Sequence, residues 1–180
     1  MAAFVDRIRR FSASGFDPTE VHPFLAGTLI EPSSLDRYLR FEDGRYTRHL
    51  VYKSPDVELL VLCWKRGTRA PVHGHEGELC WARVERGRLR FTSYREVSRS
   101  PLWLVPIGSP VDGGPGYVDG PADIHAVENP DAFGGDAVSL HVYSKPYAEC
   151  DLYDLEQGVV TRVRLQYDSG PDDVPTTTPG

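Results

Sequence analysis

Two histidines separated by one residue, His73 and His75, lie in the segment RGTRAPVHGHEGELCWARVERGRL, residues 66–89. Side chains alternate between the two faces of a β-strand, so both imidazoles would project to the same side. Neutral imidazoles bind Fe, Zn, Cu and Ni, and a divalent ion would need a third ligand from elsewhere in the chain. Alone, the pair is a weak signal, since two exposed histidines in a turn would give the same pattern.

The best-placed third histidine is His125, in the glycine-rich segment GYVDGPADIHAVEN. The spacing around these histidines resembles the two sequence motifs of cupins, which are small β-barrel proteins, and the motifs occur in the expected order. The matching positions are Gly67, His73, His75 and Gly87 in the first motif, and Gly116, Pro121, His125 and Asn129 in the second. Cys80 stands where many cupins have a metal-binding Glu. Glu76 and Glu78 are nearby acids, which we interpret as exposed loop charges.

The cysteine in place of that Glu narrows the resemblance to the cysteine dioxygenase family. Matching segments run from about Arg45 to Tyr167 and include RYTRHLV, LLVLCW, HGHEGELC, IHAVEN and SLHVYSKPYAEC. In the last segment Ser139, His141 and Tyr143 lie at every second position and would share one face of a strand. That family has a Ser-His-Tyr relay at these positions, with the tyrosine hydroxyl directed at iron.

The resemblance implies a role for each candidate residue. His73, His75 and His125 would bind Fe(II) without a carboxylate ligand, although Zn, Cu or Ni also suit imidazole ligands. Arg48 and Tyr46 would hold the substrate carboxylate, because a guanidinium fork can give two parallel hydrogen bonds. Trp64 also matches a family position, where a packing role is a sufficient explanation. Cys80 and Tyr143 correspond to the two residues that form a thioether crosslink in many family members.

The implied reaction is the addition of both atoms of O2 to the sulfur of L-cysteine, giving cysteine sulfinic acid in cysteine catabolism. One alternative keeps the chemistry and changes the substrate to 3-mercaptopropionate or another small thiol. Arg48 argues against cysteamine, which has no carboxylate. A second alternative, of another class, is a non-catalytic cupin that senses a metal or a small ligand. The complete set of Ser139, His141 and Tyr143 argues against it, because a binding module has little need of a relay.

The elements that must position these residues are predicted to be mostly strands in a single small barrel. Residues 1–44 have the most helical character, with Asp17 as an N-cap before Pro18 and Ser33 or Ser34 as a second cap. We expect this segment to pack on the barrel. Residues 45–168 alternate short apolar runs with Gly, Pro and Asp, as in an all-β barrel. Residues 169–180 are predicted to be a disordered tail.

Composition excludes several classes of function. The formal net charge is −6 over 180 residues, which disfavours a nucleic-acid partner. No segment is long and apolar enough for a membrane span, and the first residues lack the apolar core of a secretory signal. The three cysteines are too few, and odd in number, for a disulfide scaffold. We therefore expect a cytoplasmic monomer whose partners are a small thiol and O2.

Overall fold

The computed structural model describes residues 1–171, which form two helices and twelve strands. The helices are α1 (Ala2–Ala13) and α2 (Pro18–Gly27), with short 3₁₀ helices at Pro32–Tyr38 and Asp131–Phe133. The strands are β1 (Thr47–Lys53), β2 (Glu58–Trp64), β3 (Arg69–Gly74), β4 (Cys80–Arg86), β5 (Leu89–Arg99), β6 (Leu102–Pro106), β7 (Val111–Gly113), β8 (Val118–Ala122), β9 (Ile124–Glu128), β10 (Ala137–Tyr143), β11 (Glu149–Asp154) and β12 (Val159–Arg164). None of the helices in this range is long and apolar enough to cross a membrane.

The strands form two antiparallel sheets that face each other across the candidate site. The first sheet has the order β1-β2-β10-β4-β8, and the second has the order β12-β11-β3-β9-β5-β6, with β7 paired to β5. The prediction of a mostly β, single small barrel with short N-terminal helices is confirmed.

Strand β2 shows how the first sheet separates two cores. All seven of its residues are buried, so both faces of the strand are covered. Leu59, Val61 and Cys63 belong to a cluster with the N-terminal helices, whereas Leu60, Leu62 and Trp64 belong to the interior of the barrel. This is the period-two pattern of a strand that packs on both sides.

Helix α1 packs on the outer face of this sheet through one apolar stripe. Phe4, Ile8 and Phe11 are buried and lie at i, i+4 and i+7, the spacing of one helix face. Burying such side chains stabilises the fold by about 1.5–3 kcal/mol each relative to leaving them exposed. The N-terminal segment therefore covers apolar surface that the barrel alone would expose.

The two predicted helix caps have different outcomes. Asp17 caps α2 as predicted, since its carboxylate accepts a hydrogen bond of 2.8 Å from the Thr19 N–H. The prediction of Ser33 or Ser34 as a cap is wrong, because the 3₁₀ helix begins at Pro32, before both serines. Its N-cap is Glu31, and the Ser34 hydroxyl instead donates back to the Glu31 carbonyl.

The structure also describes the region where the predicted tail begins. Ser169 is 5% exposed, its Oγ lies 2.8 Å from His49 Nδ1, and its carbonyl accepts from the Leu50 N–H. The chain thus remains packed against β1 at this position. The rest of the predicted tail, from residue 172 onward, lies outside the described residues.

Candidate active site

Three histidine rings meet between strands of the second sheet. His73 on β3 is the direct cross-strand partner of His125 on β9, and His75 follows immediately after β3. The ring centroids are 5.0, 4.8 and 4.7 Å apart, and one nitrogen of each ring lies within 4.8 Å of those of the other two. The predicted ligand set is therefore brought together, and neither Glu76 nor Glu78 belongs to it.

The hydrogen bonds of these rings leave nitrogens free that suit a metal ion. His73 Nδ1 lies 2.8 Å from the Pro71 carbonyl and His75 Nδ1 lies 2.9 Å from the Ala122 carbonyl. A carbonyl only accepts, so each Nδ1 carries the hydrogen and each Nε2 presents a lone pair. The Nε2 atoms of His75 and His125 are buried and have no hydrogen-bond partner among the described residues.

Burial keeps all three rings in the neutral form that metal binding requires. It lowers the pKa of His73 to about 4, although the hydrogen bond to the Pro71 carbonyl opposes this. Burial, followed by repulsion between the rings, holds the pKa values of His75 and His125 well below the ordinary value for histidine. Unpartnered Nε2 atoms on neutral rings fit a divalent metal ion, and imidazole is a suitable ligand for iron, zinc, copper or nickel.

A pocket of about 100 Å³ opens beside the histidines. Its lining includes six of the ten predicted site residues, namely Tyr46, Arg48, Trp64, His73, His141 and Tyr143. Cys150 also lines it, together with Tyr147, Leu152, Val163 and Leu165. A mostly apolar pocket of this size with a few polar groups suits one small molecule.

A chain of hydrogen bonds runs behind the pocket and ends at the Tyr143 hydroxyl. The Trp64 Nε1–H donates to Ser139 Oγ at 2.9 Å, and Ser139 Oγ lies 3.0 Å from His141 Nε2. The Tyr143 hydroxyl lies 3.4 Å from His141 Nδ1. Trp64 is therefore the first donor in this series of hydrogen bonds, a role beyond the packing role that the sequence predicted.

The donors and acceptors in this chain fix its direction. Ser139 is fully buried, and the only acceptor that the described residues offer its hydroxyl hydrogen is His141 Nε2. Burial lowers the pKa of His141, so the ring is neutral and its single hydrogen is on Nδ1. This Nδ1–H points at the Tyr143 oxygen, which leaves the phenol hydrogen free to donate into the pocket.

Cys80 and Tyr143 lie directly opposite each other on neighbouring strands β4 and β10. Residues so paired have Cβ atoms roughly 4.5–5.5 Å apart. Both side chains are buried. Burial raises the pKa values of both the Cys80 thiol and the Tyr143 phenol, so neither is ionised at neutral pH.

Arg48 places a buried guanidinium at the side of the pocket. It is 8% exposed, and its Nη2 lies 3.8 Å from Glu58 Oε2. Tyr46, two residues earlier on the same face, stacks on Trp64 with ring centroids 4.7 Å apart. A buried guanidinium with one distant carboxylate partner has donors available for an anionic ligand.

Sequence reasoning missed the neighbours of Arg48 that come from other parts of the chain. Glu58 is 2% exposed and also binds Lys53 at 3.2 Å and the Tyr167 hydroxyl. The Tyr167 ring in turn faces the Arg48 guanidinium at 5.8 Å. Glu58 opposes Tyr143 in the sheet, and only the register of β2 against β10 could have predicted that.

The three candidate metal ligands and the other predicted site residues come from different sheets. His73 and His125 belong to the second sheet, and His75 follows its strand β3. The remaining predicted residues all lie on the first sheet or at its edge: Tyr46 and Arg48 at β1, Trp64 on β2, Cys80 on β4, and Ser139, His141 and Tyr143 on β10. The pocket thus lies between the sheet that carries the histidine cluster and the sheet that carries the other predicted site residues.

The chain is similar to several known proteins. Human cysteine dioxygenase type 1 is 26% identical to the chain over 162 residues, covering 88% of the chain and 80% of the relative. The enzyme of the same name from Danio rerio is 27% identical over 161 residues, with 87% and 80% coverage. A double-stranded β-helix protein of Klebsiella pneumoniae is similar in structure, with a TM-score of 0.46, 18% identity and coverage of 71% of this chain and 98% of that one.

The sequence profile described as "Cysteine dioxygenase type I" matches residues 2–156, which include every predicted site residue. The chain therefore belongs to the cysteine dioxygenase type I family and is an enzyme that incorporates oxygen into a thiol.

Proposed function

We propose that this protein is an Fe(II)-dependent dioxygenase that converts L-cysteine to cysteine sulfinic acid. The observation that carries the proposal is the position of buried Arg48 in a small pocket beside three neutral histidines. The residues His73, His75 and His125 would hold the iron through Nε2. When bound, Fe(II) would supply a Lewis-acidic site for the thiolate and activate O2 for transfer of both oxygen atoms to sulfur.

Arg48 would bind the substrate carboxylate with two parallel hydrogen bonds. The guanidinium is pre-positioned, since it is buried between Glu58 and the Tyr167 ring and loses little conformational freedom on binding. Tyr46 lines the same wall of the pocket and would contact the same carboxylate. Fixing the carboxylate would orient the substrate sulfur toward the histidines. Holding two reactants in the correct relative geometry lowers the barrier to their reaction.

Tyr143 would provide the hydrogen-bond donor at the reacting sulfur and oxygen atoms. The His141 Nδ1–H holds the phenol oxygen, so the phenol hydrogen remains available to the substrate. Because burial keeps the pKa of Tyr143 above its usual value, the group donates a hydrogen bond and does not act as an anion. A donor aimed in advance at developing charge is the most effective kind of electrostatic catalysis.

A thioether bond between Cys80 and Tyr143 is part of the proposal. The pairing across β4 and β10 supports it, because it puts the thiol beside the phenol ring. The S–H and one ring C–H bond would break, an S–C bond would form, and O2 would accept the two protons and two electrons to give H2O2. The bond would fix the phenol in the orientation that faces the pocket.

The decisive experiment measures O2 uptake by the Fe(II)-loaded protein with L-cysteine, 3-mercaptopropionate and cysteamine, and identifies the sulfinate product. We expect the highest kcat/KM with L-cysteine. Faster turnover of 3-mercaptopropionate would change the substrate and keep the chemistry. Absence of turnover with all three thiols would contradict the proposal and favour a binding protein.

The variant Arg48→Lys tests how the substrate is held. It keeps the charge and loses the planar fork, so we expect the KM for L-cysteine to rise by roughly 10- to 100-fold, as when a charge-assisted hydrogen bond is lost. The KM for cysteamine, which has no carboxylate, should change little. An equal rise for both thiols would show that Arg48 does not contact the carboxylate.

We also propose that the protein acts in the cytoplasm. All three cysteines, Cys63, Cys80 and Cys150, are buried and free, which fits a reducing compartment.

A further inference from the structure

The three histidines differ in what contacts their second nitrogen. The Nδ1 atoms of His73 and His75 each meet a neutral backbone carbonyl, at 2.8 and 2.9 Å. The Nδ1 atom of His125 instead faces a carboxylate, with Asp119 Oδ2 at 3.5 Å. One ligand of the proposed iron site therefore has a charged neighbour and the other two do not.

Asp119 reaches His125 from the opposite sheet. It lies on β8 of the first sheet, where it pairs with Ala82, whereas His125 lies on β9 of the second sheet. Between them, Gly120 has a φ of +100°, and a Cβ at this position would collide with the Cys80 carbonyl. Only glycine fits such a close approach with a positive φ, so the chain is fixed immediately after Asp119.

The facing atoms of Asp119 and His125 are both buried and lack a hydrogen-bond partner among the described residues. The side chains of His125 and Asp119 are 1% and 12% exposed. The other oxygen of the carboxylate, Oδ1, lies 3.4 Å from the Tyr117 hydroxyl. Each unpaired buried polar atom destabilises a fold, and a hydrogen on His125 Nδ1 would satisfy both at once.

We propose that Asp119 is a positioning residue for the metal site: its carboxylate holds the hydrogen on His125 Nδ1, directs Nε2 to the metal and places a negative charge behind this one ligand. The inference rests on the proposed iron site and deepens it. Histidine ligands commonly donate their second N–H to a carboxylate, which makes the imidazole a stronger ligand. A site with three neutral ligands thereby regains part of the negative charge that a carboxylate ligand would have supplied.

The test is the affinity for metal, measured without turnover. Asp119→Asn keeps the shape of the side chain and removes its charge. We expect the dissociation constant for Fe(II), measured anaerobically by competition with a chelator, to rise by roughly 10- to 100-fold. The same change should be seen with Co(II), and the visible absorption of the bound Co(II) should shift because the His125 ligand is weaker.

Asp123→Asn is the matched control. Asp123 is also a carboxylate near His125 in the chain, but it is exposed. This variant should keep the metal affinity and the Co(II) spectrum of the wild type. Equal affinities for all three proteins, within about two-fold, would overturn the inference, and so would an equal loss in both variants.

Two further outcomes separate this inference from the proposed function. A wild-type protein that binds Fe(II) and turns over thiols, with an unaffected Asp119→Asn variant, contradicts only the role of Asp119. A wild-type protein that binds no divalent metal contradicts both.

If Asp119→Asn does not fold, Tyr117→Phe replaces it, because it removes the hydroxyl that contacts the carboxylate. A smaller loss of affinity in the same direction then supports the inference, and unchanged affinity overturns it.

Discussion

At the scale of single residues, Tyr143 has neighbours that constrain different atoms of its side chain. His141 contacts the phenol oxygen, Cys80 lies beside it across the strand pair, and the Tyr147 ring packs against it edge-on at a centroid distance of 5.4 Å. A side chain held at its hydroxyl and at its ring keeps one orientation, and catalysis by a preorganised donor requires this.

We expect the thioether between Cys80 and Tyr143 to form during aerobic turnover. The intact mass should then be lower by two hydrogens, and the crosslinked form should migrate faster on a denaturing gel. Cys80→Ala should abolish both changes and leave a single band. Cys63→Ala is the control, since Cys63 lies on the outer face of β2, and it should keep both forms. A wild-type protein of unmodified mass after many turnovers would contradict the prediction.

At the scale of elements, strand β4 carries different chemistry on its two faces. Cys80, Ala82 and Val84 point into the barrel, whereas Trp81 packs in the cluster formed with the N-terminal helices. By alternation, Arg83 and Glu85 share the outer face with Trp81. These two form an ion pair of 3.3 Å whose side chains are each 7% exposed.

This buried pair predicts that stability falls as the pH rises. Burial raises the pKa of Glu85 to about 7 from 4.5, although Arg83 opposes the shift. The folded protein therefore keeps a proton that the unfolded chain releases, so the stabilisation is complete below pH 4.5 and is lost as the pH rises to about 7. We expect the free energy of unfolding to fall by about 1–3 kcal/mol over this window from Glu85 alone.

Urea unfolding of Glu85→Gln and wild type across this pH range measures the effect. The variant should have a flatter dependence and should be the more stable of the two at high pH. Glu156→Gln, at an exposed loop position, controls for the loss of one negative charge. Parallel curves for Glu85→Gln and wild type would contradict the prediction.

Several elements were predictable from the sequence because local chemistry decides them. The run TRHLVYK is strand β1 in full, and the Asp17–Pro18 pair marks the start of α2. Strand β11 is harder to recognise in the sequence, because its acidic residues disguise the alternation of its side chains. In the structure the acid Asp151 pairs with Arg99 at the end of β5 and, at 3.3 Å, with Arg162 on the neighbouring strand β12.

The candidate site could likewise be predicted from the sequence only in part. Motif spacing predicted the histidine cluster and the Ser139–His141–Tyr143 face, since each depends on a short stretch of one strand or on a familiar motif. Glu58 and Asp119 could not be predicted, because their roles depend on which strands become neighbours. Their significance appears only when β2 lies beside β10 and β8 lies over β9.

At the scale of the whole molecule, the C-terminal segment holds the strand that bears Arg48. Asp168 Oδ2 accepts from the Arg48 N–H at 2.7 Å, and its other oxygen binds the Arg45 guanidinium at 2.5 Å. Burial would raise the pKa of Asp168, but the hydrogen bonds from Arg45 and Arg48 hold it below its ordinary value. The carboxylate is thus ionised and ties the C-terminal segment to β1.

We expect Asp168→Asn to weaken both the fold and substrate binding. The loss of charge-assisted hydrogen bonds should lower the free energy of unfolding by about 1–3 kcal/mol. The KM for L-cysteine should rise several-fold, because the backbone of Arg48 loses a fixed partner. Chemical denaturation and steady-state kinetics measure the two effects.

Asp154→Asn separates the two effects. Asp154 also accepts backbone hydrogen bonds, from Glu156 and Gln157, but it is the last residue of β11, where the turn to β12 begins. This variant should lose stability and keep its KM. A rise in KM for both variants would show that general loosening of the fold, and not the tie to β1, weakens substrate binding.

The separation of the site between two sheets has a consequence for how such a protein can evolve. On the proposed function, substitutions at β1 and β2 would change which thiol is accepted without altering the histidines, and substitutions at β3 and β9 would change the metal without altering Arg48. New substrates can therefore be acquired while the oxidation chemistry is inherited intact. Asp119 lies on the first sheet and its carboxylate faces His125 on the second, so a substitution at this position would affect the two sheets together.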